Sequence, residues 1–186
     1  FRSRHGRHPS VHLFPSSIDA EHFSGARGPG HDPHDQARIP RPRIGFFGVI
    51  DERMDLDLLA ALADAHPEWA IVMVGPVVKI DEADLPRRGN IHYLGNRKYE
   101  ELPAYLGAWD VALMPFTTNE PTRFISPTKT PEYLAGGRPV VSTPIADVIR
   151  HYSDLEAVFN ADGAEAFVEA CEKALALSRK PNGWLG

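Results

Sequence analysis

The sequence predicts an α/β fold: a doubly wound, mostly parallel six-stranded Rossmann-like sheet with helices on both faces. Three observations carry that expectation. From residue 43 onward, short apolar runs alternate with stretches of helical periodicity. Most of the runs are nearly continuous in apolar residues, as strands buried on both faces of a parallel sheet should be. The alternation continues for about 140 residues, enough for a full doubly wound domain.

The elements follow in order. RIGFFGVI (43–50) is the first strand, and DLDLLAALADAH after it puts Leu56, Leu59, Leu62 and Ala63 on one helical face. AIVMVG (70–75) and NIHYLG (90–95) are the next strands. YEELPAYLGA then forms a short helix interrupted by Pro103, leading into strand DVALMPF (110–116). A helix crowded with prolines precedes strand RPVVST (138–143), and EAVFNA (156–161) is the sixth strand. The last helix, GAEAFVEACEKALALS, spaces Ala164, Phe167, Val168, Cys171, Ala174 and Leu175 helically, with Asp162 and Glu165 as a capping box.

Bulk composition excludes several classes. With 186 residues, 42% hydrophobic and 24% charged, the chain has the make-up of one globular core. A net charge of −5 argues against a nucleic-acid partner. No apolar run reaches the roughly eighteen residues of a membrane span. The one cysteine, Cys171, excludes an internal disulfide, fits a reducing cytoplasmic compartment, and reads as a core residue rather than a nucleophile. The chain starts at Phe1 with no visible signal peptide, so it is expected to be a piece of a longer protein.

Residues 1–42 differ from the rest. They hold six of the nine histidines and a scatter of prolines and glycines, and read as a hinge or linker with one short strand, VHLF (11–14). The domain proper is expected over 43–186. His31, Asp32, His34 and Asp35 match no standard metal-ligand spacing, and no metal or other cofactor is expected.

In doubly wound sheets, ligands bind beyond the carboxyl ends of the strands. The loop GFFGVIDERMD (45–55) holds Gly45 and Gly48 but lacks the third glycine of a dinucleotide fingerprint. It still brings Gly48 and Arg53 to a helix start, where backbone N–H groups and a guanidinium suit a diphosphate. Equally, Arg53 could pair with Glu52 or Asp55. Asp55 and Asp57 resemble a metal-binding DxD, but at a helix start Asp55 is a natural N-cap.

In FISPTKTPEYLAGG (124–137), Ser126–Pro127 and Thr130–Pro131 are both good helix starts, and both stay open. Lys129 adds a cation there and Glu132 a carboxylate one turn in, able to accept from the two hydroxyls of a ribose. The alternative is a surface Lys–Glu pair worth about 0.2–0.5 kcal/mol. Gly136 and Gly137 end the helix. Leu94, Gly95 and Asn96 could present backbone groups to a base edge, with Arg97 and Lys98 adding charge.

Together PSSIDAEHF (15–23), GFFGVIDER (45–53), VMVGPV (72–77), IHYLGNRKYEELPAYL (91–106), DVALMPF (110–116) and above all ISPTKTPEYLAGGRPVVST (125–143) resemble the C-terminal, donor-binding half of GT-B glycosyltransferases of the group 1 type. The resemblance spans nearly the whole chain. It implies binding of a nucleoside-diphosphate sugar and transfer of the sugar to a saccharide or lipid-linked acceptor, held by an N-terminal domain absent from this chain. It also implies Glu132 on the ribose, Arg53 and Lys129 on the diphosphate, and Gly48 beneath it. Ser126, Pro127 and Thr128 would form the helix start, and the backbone at Gly95 and Asn96 would meet the base. Phe124 stands where the first glutamate of the family's E-x7-E motif belongs, a role that Glu120 could fill. The full-length protein is expected in the cytoplasm, with peripheral association at the inner face of the plasma membrane through the missing half. Two other functions fit the architecture: a nucleotide-sugar epimerase or phosphorylase, and a non-catalytic nucleotide-binding module.

Overall fold

The computed structural model describes residues 17–180, except 29, 31, 120, 121, 123, 124 and 126. The predicted VHLF strand lies outside these residues.

Six runs rich in Val, Ile and Phe form one sheet: β1 (Arg43–Phe47), β2 (Ala70–Val74), β3 (Ile91–Gly95), β4 (Val111–Met114), β5 (Val140–Ser142) and β6 (Val158–Asn160). Their order is β3-β2-β1-β4-β5-β6, and all five pairings are parallel. Each strand is one to three residues shorter than its apolar run, because the residues at its ends leave the ladder for the connecting loops. Ile50, predicted within the first strand, instead makes an isolated parallel bridge to Val77. The strand order reverses between β1 and β4, and that is where a ligand crevice opens in such a sheet.

The helices are α1 (Ala20–Ser24), α2 (His34–Ala37), α3 (Leu56–Ala65), α4 (Leu102–Gly107), α5 (Lys129–Ala135), α6 (Ala146–Tyr152) and α7 (Ala164–Ser178). The amphipathic helices α3 and α7 pack together against one face. They bury Leu58, Leu59, Leu62 and Ala63 from the first, and Phe167, Ala170, Cys171 and Ala174 from the second. Burial pushes the Cys171 thiol well up, so it stays a protonated core residue. Asp55 caps α3 as predicted, its Oδ1 accepting from the Leu58 N–H at 2.9 Å. The predicted capping box at the last helix does not form. Gly163 occupies the cap with φ +80°, which turns the chain so that no side chain caps the helix.

The opposite face carries α1, α4 and α5 around Phe23, Phe47, Trp109 and Tyr133, whose rings stack or meet edge to face. Gly45 belongs to this packing. A Cβ there would lie 2.1 Å from the Trp109 ring, so this glycine makes room for an indole and not for a ligand.

Within 1–42, read as hinge or linker, the described residues form α1 and α2 and pack on the domain. Phe23 is fully buried, and Arg27 donates to the carbonyls of Ala135 and Leu134 at the end of α5. Buried Gln36 accepts from Trp109 Nε1 at 2.7 Å. Asp32 and Asp35, considered as metal ligands, are engaged with Arg43 and Arg97. Helix α5 ends at Gly136, and Gly137 takes the left-handed conformation that turns the chain towards β5.

Candidate functional site

The site forms at the carboxyl edge of the sheet, and α5 sets its geometry. Thr130 is fully buried, its hydroxyl donating to the Met114 sulfur at 3.3 Å. Tyr133 is also fully buried, and its hydroxyl oxygen accepts from the Phe47 N–H at 3.1 Å. These two contacts pin α5 to the ends of β4 and β1. They also decide where the helix begins: it starts at Lys129, with Thr128 as N-cap and no side-chain cap bond. Neither proline pair therefore starts it. Pro127 lies ahead of the cap, and Pro131 sits inside the first turn, where its missing N–H leaves no helical bond broken. Ser126, Phe124 and Glu120 lie outside the described residues.

Lys129, the first residue of α5, runs its stem across Gly48. A Cβ on Gly48 would sit 2.4 Å from Lys129 Cε and 2.9 Å from Nζ, so a side chain there would push the end of the lysine aside, and φ of +139° is itself strained for any other residue. The ammonium lies 5.8 Å from the centre of the Phe46 ring. Among the described residues Lys129 has no ion pair, and the Lys129–Glu132 surface pair held open as the alternative does not form. Burial lowers the Lys129 ammonium from its ordinary value, and neighbouring Arg53 adds to this, while Glu132 and Asp51 oppose it. Burial likewise raises the Glu132 carboxyl above the usual carboxylate range, against the Thr128 hydroxyl and the charges of Lys129 and His22. Two ionisable groups are thus held desolvated with incomplete compensation.

Arg53 joins them, but not with the predicted partners. Its Nε and Nη2 grip Asp51 at 2.6–3.0 Å, rather than Glu52 or Asp55. Asp51 is buried, 5% exposed. Burial alone would raise its carboxyl. The side-chain and backbone bonds from Arg53, with the charges of Arg53 and Lys79, outweigh that and hold it below the usual range.

Gly48, Gly75 and Gly95 stand side by side at the ends of β1, β2 and β3, with φ of +139°, +148° and +74°. Gly48 N–H donates to Val74 O and Gly75 N–H to Gly95 O, both at 2.8 Å. A Cβ on Gly75 would lie 1.8 Å from Gly48 O. The result is a shelf of bare backbone, leading from Lys129 to a cleft of about 450 Å³ lined by Gly75, Val77, Tyr93, Gly95 and Asn96 among others. Arg97, predicted to add charge there, turns away to Asp35 and the Tyr105 hydroxyl. A second cavity of about 570 Å³ lies over β4 and β5, lined by Thr117, Thr118, Asn119, Thr143 and Ile145.

The structure thus brings together Gly48, Arg53, Lys129 and Glu132, with Pro127 and Thr128 at the head of α5, and sets Gly95 and Asn96 at the far end of the shelf. Sequence reasoning missed Asp51, Gly75 and His22. Gly75 could have been found from its place after an apolar strand. His22 could not: it stacks on Tyr99 at 4.4 Å and adds its charge near Glu132 from a segment that reads as linker.

An all-parallel doubly wound sheet with a cationic crevice at its reversal point defines the class, and residues 41–176 match the family glycosyl transferases group 1. The chain belongs to that family, and its fold is one half of a GT-B glycosyltransferase. Over 136 residues it is 28% identical to a Bacillus subtilis (strain 168) protein, TuaH, named as a teichuronic acid biosynthesis glycosyltransferase; the match covers 71% of this chain and 34% of TuaH. The fold is shared with sucrose-phosphate synthase of Thermosynechococcus elongatus (TM-score 0.64, 18% identity, 96% of this chain and 49% of that one). It is also shared with Anabaena Alr3699/HepE in complex with UDP and glucose (TM-score 0.62, 17% identity, 88% and 49%). The chain therefore spans about a third of TuaH and about half of these solved relatives.

Proposed function

We propose that this domain binds the nucleoside-diphosphate part of a sugar donor, and that the full-length protein transfers the sugar to an acceptor hydroxyl in polysaccharide or glycoconjugate synthesis. One observation carries the reading: Lys129 lies desolvated across Gly48 with no ion pair among the described residues, beside Arg53 and one turn from Glu132. A diphosphate supplies the missing anion, and a ribose diol supplies two donors for Glu132. The glycine shelf lets a flat ligand lie against backbone, with its base towards Gly95 and Asn96 in the cleft. The first-turn N–H groups that follow Pro127 and Thr128 would assist at the phosphate end. The relationship to TuaH supports a polysaccharide product, and the complex of HepE with UDP and glucose makes a uridine donor the first to test.

Negative charge develops on the leaving diphosphate as the glycosidic bond breaks. Lys129 and Arg53, fixed beforehand in a poorly solvated crevice, would stabilise it without reorganising. This scheme calls for no metal ion. Among the described residues no cluster of His, Cys, Asp and Glu could hold one, and no helix is long and apolar enough to cross a membrane. The acceptor, saccharide or lipid-linked, would be held by the other half of the full-length protein, which would work in the cytoplasm, peripherally at the membrane.

Calorimetry with UDP and GDP tests the assignment. Lys129→Ala and Glu132→Ala should each weaken binding of whichever nucleotide the protein takes, and unchanged binding in both would sink the site.

A further inference from the structure

Lys79 is the only non-glycine residue with positive φ among the described residues, at +64°. A lysine gains nothing from the left-handed region, which glycine or asparagine would occupy at lower cost. Such an outlier is a reason to look for what the side chain does. The loop that carries it is pinned to the diphosphate loop by two backbone hydrogen bonds. Ile50 N–H donates to Pro76 O and Val78 N–H to Ile50 O, each at 2.9 Å, which together make the parallel bridge between Ile50 and Val77. That register sets Lys79 beside Glu52, with Nζ 3.4 Å from Oε1. The pair is long and lies in solvent, with side chains 67% and 54% exposed, so it holds the ammonium only loosely. One residue further along the same loop, buried Asp51 feels Lys79 as well as Arg53, and Lys129 in turn feels Asp51 and Arg53. Arg53 thus holds Asp51 directly, while the charges of Lys79 and Lys129 act on it from two other segments. Arg53 shares its charge with Asp51, and Lys129 has no ion pair among the described residues, so a doubly charged diphosphate leaves room for a further cation.

We propose that Lys79 is a third diphosphate-binding cation of this site, parked on Glu52 in the empty protein and moving to the distal phosphate when nucleotide binds. The inference rests on the nucleotide reading above and adds a residue to it. Lys79 has the reach and the freedom for this: a four-carbon stem, an exposed ammonium and a weak partner. Its ammonium already stands at Glu52, on the loop between Asp51 and Arg53.

The test uses the full-length protein and calorimetric titration with UDP, GDP, UMP and GMP. With whichever base binds, Lys79→Gln should weaken the diphosphate about tenfold, the effect of one charge-assisted hydrogen bond, and leave the monophosphate within about twofold. Lys79→Gly removes the side chain and relieves the backbone. It should show the same affinity loss with a melting temperature equal to or above that of the wild type, which separates ligand binding from loop support. Glu52→Gln, by releasing the ammonium, should tighten the diphosphate about twofold. Equal weakening of mono- and diphosphate, or unchanged diphosphate binding in both Lys79 variants, would overturn the proposal while leaving the nucleotide site intact. No binding of any nucleotide by the wild type would overturn both.

Discussion

The two ends of the sheet treat buried polar groups in opposite ways. At the amino end, Arg43 is 3% exposed and fully served: Asp32 accepts from Nη1 at 2.6 Å, and the Ile39 carbonyl from Nε and Nη2 at 2.9 and 2.6 Å. Asn90 donates to three carbonyls there, and Asp110 accepts from the Arg43 N–H at 2.7 Å. The exception is Arg138, whose Nε has no partner although its Nη2 reaches Gly107 O. At the carboxyl end, Lys129 and Glu132 are withdrawn from water and lack full partners. Saturated polarity holds the chain in place. Unsaturated polarity of matched charge and spacing is costly to keep and makes sense only if something arrives to complete it.

Breaking each end separately should give opposite phenotypes. The largest effect belongs to Lys129→Ala in the full-length protein. Losing a cation placed on the leaving diphosphate should lower the transfer rate on the order of 10²–10³, while urea unfolding shows stability equal to or above that of the wild type. Arg43→Met should do the reverse. It strands Asp32 and the carbonyls of Ile39 and Ala37, and should cost about 3 kcal/mol in the same unfolding assay, with nucleotide affinity of the folded protein unchanged. An Arg43 variant that lost affinity but kept its stability would erase the distinction. Gly75→Ala lies between the two. Its Cβ would meet Gly48 O at 1.8 Å, so the shelf must shift; about 2 kcal/mol of stability and measurable nucleotide affinity should go together.

The same contrast explains what could be read from the sequence. The six strands were legible because burial on both faces writes an uninterrupted apolar run, and α3 and α7 because their buried positions recur at helical spacing. Gly48, Lys129 and Glu132 could be named because a loop and a helix start are local features, but local chemistry left Lys129 and Glu132 open between a ligand site and a surface pair, and the family resemblance made the choice. Contacts between distant residues were not legible. Gln36 reads as an ordinary loop residue until Trp109 donates to it, and Phe23 lies in a proline- and glycine-rich stretch until Phe47 and Tyr99 surround it. The start of α5 shows the same limit. Two proline pairs were locally equivalent, and the burial of Thr130 and Tyr133 against β4 and β1 chose neither. Asp51 was passed over because Glu52 and Asp55 are equally near Arg53 in sequence, and only the loop geometry selects among them.

The smallest expected effect sharpens the comparison most, because it is a matter of sign. Burial raises the folded-state pKa of Glu132 above 4.5, so between that value and its folded pKa the folded protein binds more protons than the unfolded chain. Its contribution to stability is therefore greatest at low pH and falls as pH rises through that window. Glu132→Gln removes the loss. The melting temperature of the variant should match that of the wild type near pH 4, rise relative to it as pH increases, and stay level above the window, while nucleotide affinity at neutral pH drops about tenfold because one of the two ribose acceptors becomes a donor and the charge is lost. Lys129 works at the other limit: its pKa is lowered below 10.5, so the folded protein sheds the proton first, and stability rises with pH there just as nucleotide binding declines. A carboxylate satisfied in the empty site, like those at the amino end, would give a Gln variant less stable than the wild type at neutral pH. That result would place Glu132 among the groups that hold the fold and not among those that wait for a ligand.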